Sequence, residues 1–249
     1  MQETWTIKRV LDWTVGYLGR KGDERPRLSA EWLLSAVTGL SRVELYVNFD
    51  KPLNPEELAR LHTGIERRAM GERLWALLKE NGVHLNTGFT ATPFILFALA
   101  DNDLVDEAYE LLLQDSRPSW LYAVRQGATT IWERWDSLRE DGSLVESSLN
   151  HYAYGAVGDF FYRRICGLEA IEPGYRRFAV KPLPGGGLTW AEWEHKSPFG
   201  RIKTRWEKRE NAFRLTVSVP VGTSAVITMP SGKSYTVGSG DYEFKDLEQ

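Results

Sequence analysis

The first part of the chain places hydrophobic residues at helical spacing, interrupted by residues that begin or end helices. In residues 4–19 the apolar side chains recur every three or four positions. A second helix is predicted after Pro26, and a short third one from the capping-box pattern Ser41–Glu44. A longer fourth helix is predicted from Asn54, because an N-cap, a proline and two acids follow in order. These patterns predict a small all-helical bundle over residues 1–73.

The middle of the chain, residues 74–172, continues with helices but inserts longer loops between them. The runs "PFILFALA" and "LVDEAYELLLQ" predict two helices joined by "DND", and "SRPSWLYAV" predicts a turn into a short helix. A last helix is predicted to begin near His151, after the loop "SLREDGSLVESSL". The pattern is typical of helical hairpins with long loops on one side.

From residue 173 to residue 249 the hydrophobic period changes from helical spacing to alternation. The predicted strands are "RRFAVKP", "LTWAEWEH", "GRIKTRWEK", "AFRLTVSVP", "SAVITMP", "KSYTV" and "DYEFKD". Turns rich in Gly and Pro separate them, which predicts an antiparallel β-sandwich. The run "PGGG" is not a nucleotide-binding loop, because no predicted helix follows it to present its N-terminus to a phosphate. The whole chain is therefore predicted to be an α+β multidomain protein.

The amino-acid composition and net charge of the chain exclude several classes of function. The chain of 249 residues has 42% hydrophobic and 26% charged residues and a formal net charge of −3, so no basic field indicates nucleic acid as a partner. The single cysteine, Cys166, excludes an internal disulfide. No zinc-type Cys or His spacing and no nucleophile-elbow serine is present, so we expect no metal and no cofactor. The start lacks a signal-peptide core and the apolar runs are short, so we expect a cytoplasmic chain without a membrane partner.

The stretch "GATTIWERWD", residues 127–136, carries the strongest candidate chemistry. It places the carboxylate of Glu133 between the indoles of Trp132 and Trp135, and "NHYAYG" later places His151 among tyrosines. Indoles stack on the C–H face of a sugar, while carboxylate and imidazole groups bond to its hydroxyls. A carboxylate that takes a proton from water is also the base of a glycosidase. The alternative is that the indoles are core residues and Glu133 is a solvated helix residue.

Residues 2–72 resemble a known domain. The stretches "WTIKRVLDW", "RLSAEWLLSAVTGLSRVELY", "LNPEELARL" and "RRAMGE" are similar to the N-terminal helical domain of the release-factor glutamine methyltransferases. The resemblance implies that this part helps to hold a translation release factor. Methyl transfer in that family needs a Gly-rich cofactor loop and an Asn-Pro-Pro-Tyr motif, neither of which is in this chain. The resemblance ends at about Glu72–Leu74.

Residues 74–249 resemble the C-terminal part of the family 78 glycoside hydrolases, the α-L-rhamnosidases. The stretches that carry this resemblance are "ENGVHLNTGFTATPFIL", "RPSWLYAVRQGATTIWERWDSL", "LNHYAYGAVGDFFYRRICGLE" and "PGYRRFAVKPLPGGGLTWAE". It implies part of an (α/α)₆ toroid, a β-sandwich and an inverting mechanism on a rhamnose-containing glycoside. Glu133 matches the general base and His151 a residue that contacts the rhamnose hydroxyls. Trp120 and Trp132 are further candidates for the sugar pocket.

The general acid of that family has no counterpart here, because it lies upstream, where the methyltransferase-like helices stand in this chain. Asp136, Asp141 and Glu146 are the candidates in this chain to replace it as the proton donor. Three hypotheses follow: a weak or inactive α-L-rhamnosidase-like fragment, a release-factor-binding helical module, or a fusion with no selected function. An abrupt switch near residue 73, without a linker rich in Pro, Gly or Ser, favours the last.

Overall fold

The computed structural model describes residues 4–209 and 212–247. The ends of the first and last predicted domains, residues 1–3 and 248–249, lie outside the described residues, as do residues 210 and 211. The Cα positions divide into two compact units. The first contains the chain up to Leu85 together with Ala98–Ala108, and the second contains Asn86–Phe97 and the chain from Tyr109 onward. Within the described residues, no helix has the length and apolar character that crossing a membrane would require.

The first unit is built on four helices that the sequence pattern predicted: α1 Ile7–Arg20, α2 Pro26–Thr38, α3 Arg42–Val47 and α4 Pro55–Glu80. The predicted capping box at Ser41–Glu44 is confirmed, with both reciprocal hydrogen bonds present. Asn54 and Glu57 form a second capping box at the start of α4. These side chains bond backbone N–H groups that a helix leaves without partners, and so they fix where α3 and α4 begin.

The core of this bundle is aliphatic, and the acidic residue Glu31 is buried next to it. Ile7, Leu11 and Leu34 are among the fully buried residues from α1 and α2. Glu31 lies inside as well, because Arg27 and Arg42 form ion pairs with its carboxylate and the Tyr46 hydroxyl donates to it. Burial alone would raise the pKa of Glu31, but the bonds from Tyr46 and Arg42 outweigh it and hold that pKa below its ordinary value.

The middle of the chain contains short helices: α5 Thr92–Ala100, α6 Val105–Leu112, α7 Trp120–Arg125 and α8 Val157–Phe160. The helix predicted near His151 begins as a 3₁₀ turn, Ala153–Ala156, passes through α8 and ends as a π-helical turn, Phe161–Ile165. Phe160 is buried in this segment, whereas the neighbouring Phe161 is exposed. Neighbouring residues on a helix point about 100° apart, so Phe160 and Phe161 do not share one buried face.

The C-terminal part forms two four-stranded sheets, which confirms the predicted sandwich strands and adds one. The strands are β1 Leu168–Ala170, β2 Arg177–Val180, β3 Trp190–Ser197, β4 Gly200–Arg209, β5 Ala212–Val219, β6 Ser224–Thr228, β7 Ser234–Val237 and β8 Gly240–Leu247. The sheet orders are β1-β2-β6-β7 and β3-β4-β5-β8. All pairs are antiparallel except β2 with β6, which is parallel. The additional strand β1 is too short to show alternation in the sequence.

The glycine run "PGGG" has a packing role in the second unit. A Cβ on Gly185 would lie 2.4 Å from the ring of Tyr109, and a Cβ on Gly186 would lie 2.5 Å from the same ring. The Tyr109 hydroxyl donates to the Leu183 carbonyl at 2.5 Å. The run therefore lets the backbone pass directly against a buried tyrosine, and this explains the glycines without a phosphate.

Candidate active site

A long hairpin brings Glu133 and His151 onto neighbouring backbone segments. The Glu133 N–H donates to the Ser148 carbonyl at 3.0 Å, and the His151 N–H donates to the Ile131 carbonyl at 2.7 Å. Residues 137–145, which lie between Glu133 and Ser148 in the sequence, form the tip of the hairpin. A short antiparallel bridge between Leu138 and Leu144 closes this tip. Backbone hydrogen bonds thus join the two segments that carry the sequence candidates, although 18 positions separate Glu133 from His151 in the sequence.

The Glu133 carboxylate is half-buried and is held at one end. Its Oε2 accepts a hydrogen bond of 2.7 Å from the Ser148 N–H. Within the described residues, no hydrogen bond uses Oε1. A carboxylate that is fixed through one oxygen and open at the other is suited to accept a proton from a bound water. Glu133 is therefore neither a core residue nor a freely moving helix residue.

The His151 imidazole is half-buried and stacks with two aromatic rings. The Phe89 ring stacks on it with centroids 4.9 Å apart and an interplanar angle of 19°. Tyr152 stacks at 5.1 Å and 15°. The Ala153 N–H donates to Nδ1 at 3.3 Å. Phe89 lies in the loop "HLNTGFTATP". No periodic pattern in the sequence indicates its contact with a residue more than 60 positions away.

The tryptophans of the predicted pocket line a separate aromatic cavity of about 250 Å³. Trp120 and Trp132 are both buried, and the Trp120 indole donates to the Tyr154 carbonyl at 3.0 Å. Trp135 stacks on Tyr154 with centroids 3.7 Å apart. Among the described residues, neither Glu133 nor His151 contributes to the lining of this cavity. The structure therefore places Glu133 and His151 on paired segments of one hairpin, and Trp120 and Trp132 around one cavity. The roles of all four residues stay predictions.

The three substitute proton donors differ in their environments. The Arg134 guanidinium bonds to Asp136 at 3.1 Å and, despite partial burial, holds the pKa of that carboxyl below its ordinary value. Hydrogen bonds from Ser143 lower the pKa of Asp141 in the same way. Glu146 is exposed on the hairpin. A general acid needs the opposite shift, a raised pKa, so Asp136 and Asp141 are poorly suited to that task.

No group of three or more His, Cys, Asp or Glu side chains within the described ranges is arranged to hold a metal ion. What the described site offers is a carboxylate, an imidazole and aromatic surfaces. The loops that carry Glu133 and His151 lie between short helices and are followed by a β-sandwich, so the fold and the candidate site together indicate the class of helical-hairpin glycosidases.

Comparison with known proteins shows which family each part of the chain resembles. Residues 59–165 match the bacterial α-L-rhamnosidase six-hairpin glycosidase domain, and residues 167–243 match the bacterial α-L-rhamnosidase C-terminal domain. Residues 9–74 match the PrmC N-terminal domain. The middle and C-terminal parts of the chain are therefore similar to α-L-rhamnosidases, and the N-terminal part is similar to the N-terminal helical domain of the release-factor glutamine methyltransferases. Both resemblances read from the sequence are confirmed. The two matched regions overlap within α4.

Comparison with individual relatives shows what share of each relative this chain covers. An α-L-rhamnosidase of Streptomyces avermitilis is 44% identical over 168 residues, which cover 66% of this chain and 16% of that protein. A release factor glutamine methyltransferase of Geobacter sulfurreducens is 51% identical over 105 residues, 42% of this chain and 37% of that protein. The crystal structure of the S. avermitilis α-L-rhamnosidase complexed with L-rhamnose has a TM-score of 0.69 at 27% identity, covering 96% of this chain and 30% of that one. This chain thus spans less than two fifths of each relative.

Proposed function

We propose that this chain binds rhamnose-containing glycosides and retains the water-activating half of an inverting α-L-rhamnosidase site. Glu133 is the proposed base and His151 the proposed contact to the sugar hydroxyls. The observation that carries the proposal is the hairpin that joins these two residues, with the Glu133 carboxylate fixed by the Ser148 N–H at 2.7 Å. The L-rhamnose complex of the S. avermitilis relative supports the choice of sugar.

We further propose that hydrolysis by this chain is slow. An inverting glycosidase needs a protonated carboxyl opposite the base, about 6.5–9.5 Å away. The pKa values of Asp136 and Asp141 are lowered, so both stay ionised where a donor must be protonated. Loss of general-acid assistance reduces a rate by about 10²–10⁴-fold. The loss is smallest for substrates whose leaving group departs without a proton.

The test uses two rhamnosides with different leaving groups. The purified chain is assayed with p-nitrophenyl α-L-rhamnoside, which has a good leaving group, and with methyl α-L-rhamnoside, which has a poor one. We expect slow hydrolysis of the first, none measurable for the second, and loss of activity in Glu133→Gln. Glu140→Gln is the matched control, because Glu140 is exposed at the tip of the same hairpin, and it should keep the wild-type rate. Rapid cleavage of the methyl glycoside, or full activity in Glu133→Gln, would overturn the proposal.

A second proposed function is release-factor binding through residues 1–72. The observation that favours it is an apolar groove of about 290 Å³ in the first unit, lined by Trp5, Trp13 and His62 with aliphatic neighbours. Trp13 is 44% exposed, and such an amphipathic ring is a frequent anchor of protein interfaces. The high identity to the G. sulfurreducens methyltransferase covers this part of the chain.

The binding test is a pull-down of purified release factor with the immobilised full chain. Trp13→Ala removes the exposed anchor of the groove, whereas Trp32→Ala removes an exposed indole that does not line it. We expect capture by the wild type and by Trp32→Ala, and at least a tenfold loss in Trp13→Ala, in the range of an interface hot spot. Equal capture by all three proteins, or none by the wild type, would rule out this use of the groove.

A further inference from the structure

The contact between Phe89 and His151 does not serve core burial. The Phe89 ring is 44% exposed, yet it stacks on the imidazole with centroids 4.9 Å apart and an interplanar angle of 19°. It also meets Tyr154 edge-on at 5.3 Å. Tyr152, the other ring beside His151, is even more exposed. The imidazole is therefore confined by rings at the surface of the second unit, where a ligand from solvent has access.

The loop that carries Phe89 is held in place by its own hydrogen bonds. The buried Thr92 hydroxyl lies 2.8 Å from the Gly88 carbonyl and 3.2 Å from the Thr87 carbonyl. The Trp135 indole, from the stretch that contains Glu133, donates to the Thr87 carbonyl at 3.4 Å. These bonds fix the backbone on the N-terminal side of Phe89. The backbone from which the Phe89 ring projects is therefore held in place, and the ring itself packs against His151 and Tyr154.

The hydrogen bond at Nδ1 determines which nitrogen of His151 carries the proton. A backbone N–H only donates, so the 3.3 Å bond from the Ala153 N–H requires Nδ1 to be the acceptor. In the neutral ring the proton then lies on Nε2. Within the described residues, no hydrogen bond uses Nε2. A ring flip would replace Nδ1 by a carbon and break the bond to Ala153, so the orientation of the stacked ring decides whether a donor faces the ligand.

We propose that Phe89 is a positioning residue for His151: its ring holds the imidazole in the Nε2–H form and orientation that donates a hydrogen bond to a hydroxyl oxygen of the sugar. The ligand class is the rhamnose-containing glycoside of the proposed function, on which this inference rests. Phe89 itself forms no hydrogen bond to the ligand and acts through the orientation of its neighbour.

The test measures which imidazole nitrogen of His151 carries the proton, and it measures the affinity for the sugar separately. The full chain is labelled with ¹⁵N-histidine and studied by NMR. The chain has four histidines, and the Nδ1 and Nε2 signals of His151 are identified as those that disappear in the His151→Gln variant. The variants are Phe89→Leu, which removes the ring, and Phe89→Tyr, which restores it. Phe94→Leu is the matched control, because Phe94 is exposed, lies in the same unit and contacts no ring among the described residues.

We expect the wild type, Phe89→Tyr and Phe94→Leu to show the ¹⁵N shifts of the Nε2–H tautomer. Phe89→Leu should show averaged shifts and an L-rhamnose dissociation constant about 3–10-fold higher, the size expected for one lost aromatic pair. Unchanged His151 shifts in Phe89→Leu would overturn the positioning role. If the wild type binds no L-rhamnose, the proposed function fails, while the shifts still decide whether Phe89 sets the tautomer.

Discussion

Replacement of Arg68 by Met would remove the cation between two buried carboxylates of the first unit. The Arg68 guanidinium lies 3.1 Å from Asp23 and 2.5 Å from Glu72, and it donates to the Asn102 carbonyl at 3.0 Å. The side chains of Asp23 and Glu72 are only 0% and 7% exposed. Breaking such a buried pair by removing one partner costs about 3–5 kcal/mol, because the remaining charges stay desolvated. That is a large part of the total stability of about 5–15 kcal/mol that is typical of a domain.

The predicted loss of stability in Arg68→Met depends on pH. Burial, with the neighbouring acids, raises the pKa of Glu72 even though Arg68 opposes the shift. For a group whose folded pKa is raised, the stabilising contribution is complete below the unfolded pKa of about 4.3 and is lost as the pH rises through the folded value. Without Arg68 the folded pKa rises further. We therefore expect Arg68→Met to be more destabilising at pH 8 than at pH 5, because a Glu72 carboxyl with a raised pKa takes up a proton more readily as the pH falls.

The assay has to report on the first unit alone, because a chain with two compact units need not unfold in one transition. Hydrogen exchange of α4 peptides, measured by mass spectrometry at pH 5 and pH 8, gives the local opening free energy once intrinsic exchange rates are corrected. The double variant Arg68→Met/Glu72→Gln should recover part of the loss at pH 8 and reduce its pH dependence. A loss below about 1 kcal/mol at pH 8, or an equal loss at both pH values, would refute the buried-network argument.

The remaining predictions concern two glycine positions in α4 and the reactivity of the buried Cys166. Gly71→Ala in α4 should destabilise the first unit by about 1–3 kcal/mol through overpacking, because the new Cβ would lie 2.8 Å from the Asn102 Cβ. Gly64→Ala in the same helix should be neutral or stabilising by up to about 1 kcal/mol, since only a Leu33 methyl must move; equal effects in the α4 exchange assay would contradict this. Burial raises the pKa of the Cys166 thiol to about 11, so native protein should react with iodoacetamide far more slowly than urea-unfolded protein, and comparable rates would show that the thiol is accessible.

Much of the fold was predictable because its signals are local. The capping boxes at α3 and α4 depend on residues three positions apart, and the helical and alternating periods need only short windows of sequence. The family resemblances were likewise carried by contiguous stretches, and they named Glu133 and His151 as site candidates. The parallel pairing of β2 with β6 was not predicted, because it joins strands more than 40 residues apart that alternate like their neighbours.

The sequence by itself determined where most helices and strands form and which two residues are the best candidates for the site. The tertiary structure decided how those residues are held: Ser148 fixes the Glu133 carboxylate, and Phe89 stacks on His151 across more than 60 positions. It also decided that Glu31 is buried among partners instead of solvated. Periodicity and capping are properties of neighbouring residues, whereas stacking, ion pairing and burial depend on which distant segments packing brings together.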